Sequence, residues 1–480
     1  MYLGLGLTIG NVALMGGVPA WVLTSGGELA ALDLDFVNNR AWVAPQGGVS
    51  IPSLLNCARA SIGYYTDAAG VLTQVPANTL RYGNNGLLVE DTATNYLLYS
   101  QTFNNTWQLT NCLAFGSGSV VDATSAPDQT TTADLIVPGT GIGNHLIRQD
   151  LNTPAGQMQI GIFVKPAGYT RFGIREGLVT GSYACFDLTG EGAVLATGGT
   201  GAAGAITKLA GGWYHALLSF PVGVPGTWGA RYYVLDSGYS SGSPHLYNWN
   251  GNGSSGLYLW GAQAHIGPAS SYIPTGAASV TRSADVVTFA NVIWLDGAHD
   301  TIYTEHVAKN VNNATILVLD ATNDKSIREQ TGMSMCIADA TVTNTVSAGT
   351  TVRTASRLAL NDFGIAMYDG QVAADTSEAA PGTLAGARLG ADLAGANCLN
   401  GHIRRVAAFK GLAADNATLK TLARDGKILD GLSLHMTEAP VTLVLPSPYS
   451  PAGMVHPSVV YVRGGWHGYN RWMAITPYPN

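Results

Sequence analysis

In the run "GLYLWGAQAHI", Gly256–Ile266, Leu257 and Leu259 point to one side of an extended chain and Tyr258 and Trp260 to the other. Both faces are apolar, so a strand here needs two covers: a facing sheet on one side, and a loop, a subunit or a ligand on the other. "QIGIFVK" is simpler, with Ile160, Ile162 and Val164 on a single face. "RYYVLD", "TILVLD" and "FGIAMYDG" are further short β-rich runs, set apart by clusters of Gly, Asn, Ser and Asp. This is the rhythm of antiparallel sandwiches. Asp369-Gly370 predicts a tight hairpin turn with positive φ at both residues. Helical periodicity is confined to "LAADNATLKTLARDGK". There Leu419, Leu422 and Ala423 share a face, Asp415 caps the start and Gly426 ends it, which predicts one short helix near 415–425 closing the second sandwich. Neither a solenoid-length repeat nor a heptad pattern is visible. The fold class expected is all-β with tandem β-sandwiches, and composition and strand rhythm divide the chain into 1–50, 51–290, 291–430 and 431–480.

Charged residues make up 11% of the chain and Gly 60 of its 480 residues, against about 25% and ~7% in average soluble domains. This suits a loop-rich, short-strand protein. A net charge of −7 without a basic run offers no footprint for phosphate backbones, so nucleic acid is not an expected partner. Cys57, Cys112, Cys185, Cys336 and Cys398 lie far apart, form no C-x-x-C and are odd in number, and are read as free, mostly buried thiols made in a reducing cytoplasm. The first 27 residues carry no charged side chain. Glycines break their apolar stretch and no basic residue precedes it, so docking onto another protein is expected rather than membrane insertion.

The chemistry-bearing motifs are weak. "GTGAAG" (Gly199–Gly204) and "GNGSSG" (Gly251–Gly256) match G-x-G-x-x-G but lack the strand-then-helix context of a dinucleotide site, and no cofactor is expected. The histidines show no metal spacing, and His265 is read as structural. Asp33 with Asp35, Glu90 with Asp91, and Asp320 with Asp324 are local carboxylate pairs of the kind a glycosidase needs across a cleft, although capping of turns is the default for Asp in such loops. Aromatics among short polar residues are the better lead, because sugar rings stack on Trp and Tyr while amides bond the hydroxyls. Tyr64, Tyr65, Trp107, Tyr247, Asn248, Trp249 and Asn250 fit that pattern. The competing reading for each is a plug at a sandwich edge or a subunit interface, and Trp213 and Trp260, inside strand runs, are read as core.

Several segments occur in an order that resembles a family of bacteriophage tail-fibre and head-spike proteins. They are "ALDLDFVNNRAW", "CARASIGYYTDAAGVL", "GLLVEDTATNYLLYSQTFNNTW", "APDQTTTAD", "FDLTGEG", "GGWYHALLSF" and the stretch from Gly256 ending "SYIPT…TRSAD". The resemblance covers about residues 31 to 287 and implies a concanavalin-like jelly-roll sandwich. Gln129 departs from it, standing where the family usually has Gly. "SRLALNDFGIAMYDGQVAAD" and "LNGHIRRVAAFKGLAADNATLKTLA" are similar to a laminin-G-like sandwich, and His456–Asn480 to the opening strands of a β-propeller, of which only the first strand pair is present. The resemblance implies a virion protein made in the host cytoplasm, a homotrimer joined to baseplate, tail or capsid through residues 1–50, adsorbing to host surface glycans without being an enzyme. It also implies a weaker possibility of calcium at "DATND" (Asp320–Asp324). Two other readings are an architectural connector for a separate receptor-binding protein and a polysaccharide depolymerase.

Overall fold

The computed structural model describes residues 22–425 except 26–27, 309–312, 320–324, 331–333, 338–339, 343–347, 377–383 and 385, together with Pro19 and two strands near the C-terminus. Met1–Gly431 is one compact unit and Leu432–Asn480 another. The described part of the second unit is an antiparallel pair, Val460–Trp466 with Tyr469–Ile475. The fold is all-β as expected, with one α-helix among the described residues, and no described helix is long and apolar enough to cross a membrane.

The first unit contains two sandwiches. One packs two six-stranded antiparallel sheets. The first runs Gln108–Thr110, His145–Thr153, Gly226–Leu235, Arg171–Glu176, Tyr183–Asp187, Ala193–Gly198; the second runs Val120–Thr124, Ala133–Ile136, Gly256–Ile266, Gly156–Ala167, Tyr214–Val222, Ala203–Lys208. Alternation along each strand sends Ile147, Phe172 and Tyr232 from one sheet against Ile160, Ile162, Val164 and Leu218 from the other. The doubly apolar strand lies in the second sheet. Leu257 and Leu259 enter this core, and a bulge then slips the ladder between Gly161 and Phe163. Gly261 takes the extra position at φ 67°, where a Cβ would fall 2.8 Å from the Phe163 ring. Beyond it the inward positions change parity to Ala262 and Ala264. Trp260 faces away into a second cluster with Tyr64, Phe163, Trp213 and Tyr272. Its second cover is therefore the chain's own hairpin, Gly63–Thr66 with Leu72–Val75.

The other sandwich packs a ten-stranded sheet on a seven-stranded one. In the larger sheet Gly401–Lys410 is flanked by His299–Val307 and Leu32–Asp35, with Arg40–Val43 and Gly47–Val49 beyond. The smaller sheet pairs Leu55–Ala58 with Val286–Phe289. The core joins Leu32, Leu34, Leu87 and Val89 to Val287, Ile302, Leu317 and Ile403. This corrects the boundaries read along the chain. Residues 32–58 and 86–89 belong to the later sandwich, and residues 93–282 are inserted within it. The physical reason is that Leu32 and Leu34 alternate inward and pair at Ala408 and Val406, a partnership without local sequence signal. Within the segment read as 1–50, the described residues from Val22 onward are accordingly not separate: Leu23 N–H donates to buried Asp33 at 2.7 Å and Ala30 packs beside Trp42.

The helix Asn416–Asp425 forms as predicted, with Asp415 Oδ1 accepting the Thr418 N–H at 2.7 Å. Leu419, Leu422 and Ala423 pack with Tyr303, Ala366 and Phe409 on the outer face of the ten-stranded sheet, so the helix covers that sheet rather than closing the space between the two. Gly426 lies outside the described residues. The hairpin at Asp369-Gly370 also forms, but only Gly370 has positive φ, at 84°. Gly370 N–H bonds to Met367 O and Met367 N–H to Gln371 O. The connection is thus a three-residue loop ending in a left-handed Gly, not the two-residue turn expected. Gln129 is left-handed as well, at φ 67°, in a turn closed by its N–H to Ala126 O at 3.0 Å.

The chain passes from one sandwich to the other at residue 90 and returns at 285, and a buried charge network holds both crossings. Arg59 donates to Asp285 at 2.8 Å, Arg81 to Glu90 at 2.6 Å and also to Asp285, and Arg282 lies 3.5 Å from Glu90. All five side chains are at most 4% exposed. Burial alone would raise the Glu90 pKa, but Arg81, Arg282 and the Ser271 hydrogen bonds outweigh it and hold the group at about 2. Asp285 also accepts the Glu90 N–H at 2.9 Å. Gly63 lets the hairpin lie on the network, since a Cβ there would meet Arg59 Cζ and Arg81 Cδ at 2.9 Å.

Asp285→Ala leaves Arg59 and Arg81 short of a carboxylate in a dry site, and is expected to lower stability in urea unfolding by about 3–5 kcal/mol; a loss below about 1 kcal/mol contradicts the network's role. Gln129→Gly relieves a left-handed side chain that costs about 1–2 kcal/mol, less the extra unfolded-state entropy of Gly, and is expected to stabilise by about 0.5–1 kcal/mol in the same assay.

Candidate functional site

The seven aromatic and amide residues singled out from the sequence fall in three places. Trp107 is buried between Phe103 and Tyr232, its indole donating to Leu98 O at 3.0 Å. Tyr64 is buried beneath Trp260, its hydroxyl on Gln74 at 2.8 Å. Trp249 is buried between His145 and Tyr169. These three are core plugs. Tyr247 is half-buried against Tyr239 with its hydroxyl donating to Asp236, while Asn248 and Asn250 are exposed. Tyr65 is half-exposed, on the face of its strand opposite Tyr64. Trp213 and Trp260 are core, as read from the sequence.

Tyr65 lines a groove of about 760 Å³. Its lining also includes Tyr82, whose ring meets Phe36 edge-on at 6.4 Å. Asn39, Asn56, Asn78, Asn84 and Thr79 line it as well, together with apolar residues such as Leu55 and Leu80, and no lining side chain is charged. Burial, then the charge of Asp67, pushes the Tyr65 phenol up; burial, then Tyr65, does the same for Tyr82. Both stay neutral near pH 7 and can donate.

The amides divide by role. Asn78, left-handed at φ 57°, accepts the Arg59 N–H at 2.9 Å, and Asn84 donates to Ala68 O at 2.9 Å. Among the described residues the side chains of Asn39 and Asn56 have no protein partner and are exposed, which leaves them for a ligand. Two aromatic faces, two free amides and an absence of charge suit an uncharged polyhydroxylated molecule. Sequence reading found Tyr65 but missed Tyr82 and the four asparagines, of which Asn56 lies on the strand Leu55–Ala58 and the other three in separate turns. A left-handed Asn at a turn was the available signal, and it identifies turns rather than sites.

The other candidates are structural or lie elsewhere. Asp33 is bound by Arg405 at 2.7 and 2.8 Å, Asp35 by Arg40 and Asn38, and Glu90 by the junction arginines. Asp91 is exposed, accepting the Thr92 N–H. Asp320 and Asp324, with the calcium expectation placed on them, lie outside the described residues. Gly199–Gly204 turns between the strands Ala193–Gly198 and Ala203–Lys208, and Gly251–Gly256 leads into a strand, so neither opens a helix. No group of three His, Cys, Asp or Glu among the described residues could hold a metal ion. His265 is buried, with Nε2 on Pro268 O at 2.8 Å, and burial lowers its pKa to about 4. Cys57, Cys112, Cys185 and Cys398 are free, but only Cys185 is fully buried, so "mostly buried" overstated the case. The Cys336 side chain is outside the description.

The chain matches no protein-family model and no curated protein. The division of the groove amides is testable by stability alone. Asn78→Ala strands the Arg59 N–H and puts Ala in a left-handed position, and is expected to cost about 2 kcal/mol. Asn56→Ala is expected to stay within about 0.5 kcal/mol of the parent in urea unfolding; equal losses would contradict the division.

Proposed function

We propose that the chain is a bacteriophage virion subunit, of tail-fibre or head-spike type, that mediates host adsorption by binding surface glycan in the groove between Tyr65 and Tyr82. The observation that carries the reading is the lining of that groove: tyrosine faces and amides without a charged side chain. The virion assignment is supported by the resemblance of the words between residues 31 and 287. Attachment to the particle falls to the apolar residues before Val22, because Val22, Leu23 and Ala30 pack on the sandwich and residues 32–49 supply strands to it.

The reading is one of binding rather than catalysis, since no carboxylate lines the groove and Asp33 and Glu90 are held by arginines. A groove open to solvent gives weak single-site affinity. Assembly as a homotrimer multiplies it, because linked sites raise overall avidity by about 10²–10⁴ without a new contact.

Binding of the purified chain to host-surface polysaccharide on a glycan array tests the reading. Tyr65→Ala combined with Tyr82→Ala is expected to reduce retention about tenfold or more while leaving the melting temperature within a few degrees. Undiminished retention by that double variant contradicts it.

A further inference from the structure

The inserted sandwich carries a second feature, remote in sequence from the groove. Across the outer face of its first sheet, Arg148 stands directly opposite Arg231, and Arg231 opposite Arg175, on three adjacent strands. Gln108 extends this row at one end and Tyr183 at the other. Neighbouring strands are about 4.8 Å apart, so three guanidinium-bearing side chains rise at that interval, in a chain with only 24 Lys and Arg and a net charge of −7. Like charges placed directly opposite one another destabilise a sheet.

One carboxylate relieves them. Asp150, half-exposed, pairs with Arg231 at 2.7 Å. Arg175 lies close enough to Tyr233 to oppose the rise that burial imposes on its phenol, and among the described residues neither Arg148 nor Arg175 meets a carboxylate. Three positive charges against one negative leave the row with an excess of two.

The row is also seated. A Cβ at Gly177 would lie 2.5 Å from Arg231 Nε, and one at Gly229 2.6 Å from Arg231 Nη1. A Cβ at Gly181 would lie 2.9 Å from Arg175 Nη2, and one at Gly198 2.3 Å from the Tyr183 ring. These glycines let Arg231, Arg175 and Tyr183 lie along the sheet instead of standing into water. At the Arg148 end, Gln108, Thr106, Gln149 and the Arg231-paired Asp150 border a cavity of about 230 Å³.

We propose that this row binds an acidic glycan, with Arg148 and Arg175 each taking a sugar carboxylate and Tyr183 stacking on a ring face. Arginine suits the task because its planar fork meets a carboxylate with two parallel hydrogen bonds. The tyrosine face, the neutral amide of Gln108 and the net charge of −7 favour a carboxylated sugar chain over a nucleic acid. The proposal does not depend on the groove.

The test uses the full-length chain with oligogalacturonate and, as control, a neutral oligogalactan of the same length. Oligogalacturonate is expected to bind with an affinity that falls as salt rises, and the neutral chain is not. Combining Arg148→Gln with Arg175→Gln is expected to weaken binding about tenfold or more, with a melting temperature unchanged or raised because like charges have been removed. Tyr65→Ala with Tyr82→Ala is expected to leave this binding intact, so the groove can fail while the row stands. Absent binding, equal binding of the two sugars, or an unaffected arginine double variant overturns the proposal. Equal or tighter binding of oligo-dT identifies a general polyanion surface and overturns it too. So does dissociation of the oligomer by the arginine variants in sedimentation, which identifies a contact between copies.

Discussion

Arg59, Arg81, Arg282, Glu90 and Asp285 form the constraint on which the rest of the first unit depends. A sandwich inserted into another by two crossings, at residues 90 and 285, would pivot on an apolar seam, because hydrophobic contact is non-directional. Ion pairs are directional. Each carboxylate here is met by arginines from different segments and also bonds backbone: Asp285 takes the Glu90 N–H, and Glu90 takes the Ser271 N–H at 2.7 Å. Such a network contributes little net stability once desolvation is counted, yet losing one partner is costly. What it adds is geometry.

That geometry reaches the groove. The Arg59 backbone holds Asn78, donating its N–H to the amide oxygen and accepting the Asn78 N–H, Arg81 immediately precedes Tyr82, and Arg81 bonds Tyr64 O beside Tyr65 at 2.9 Å. The guanidiniums turn inward to their carboxylates, which is why a groove built beside Arg59 and Arg81 has an uncharged lining. On the inserted sandwich the reverse holds: Arg148 and Arg175 lie on an outer sheet face with one carboxylate among three arginines. Two kinds of surface, one neutral and one cationic, follow from where the few charges find partners.

Much of this was legible in the sequence. Alternation at Ile160, Ile162 and Val164 located a core strand, the Leu419–Leu422–Ala423 face located the helix, and the two apolar faces around Trp260 forecast a second cover. The words that carried the family resemblance contain the junction itself: Arg59 in "CARAS", Glu90 in "LLVED", Arg282 and Asp285 in "TRSAD". The insertion was not legible, because pairing Leu32 with Ala408 leaves no mark on either segment alone. Trp107 and Trp249 fit the binding pattern because asparagines surround them, but the competing reading as plugs is the one the structure bears out, and both are buried. The groove was hidden for the same reason as the insertion: Asn39, Asn56, Tyr65 and Tyr82 meet only after distant strands have paired.

Native-state hydrogen exchange at the crossings tests the central constraint most directly. The Leu88 N–H bonds Arg81 O at 2.8 Å and the Asp285 N–H bonds Glu90 O at 2.9 Å. If the network locks the sandwiches together, these two amides exchange as slowly as those of core strands such as Ile160 and Ile302, through global unfolding alone. Exchange at a fast local rate while both cores stay protected would show a junction that opens freely, and would contradict it.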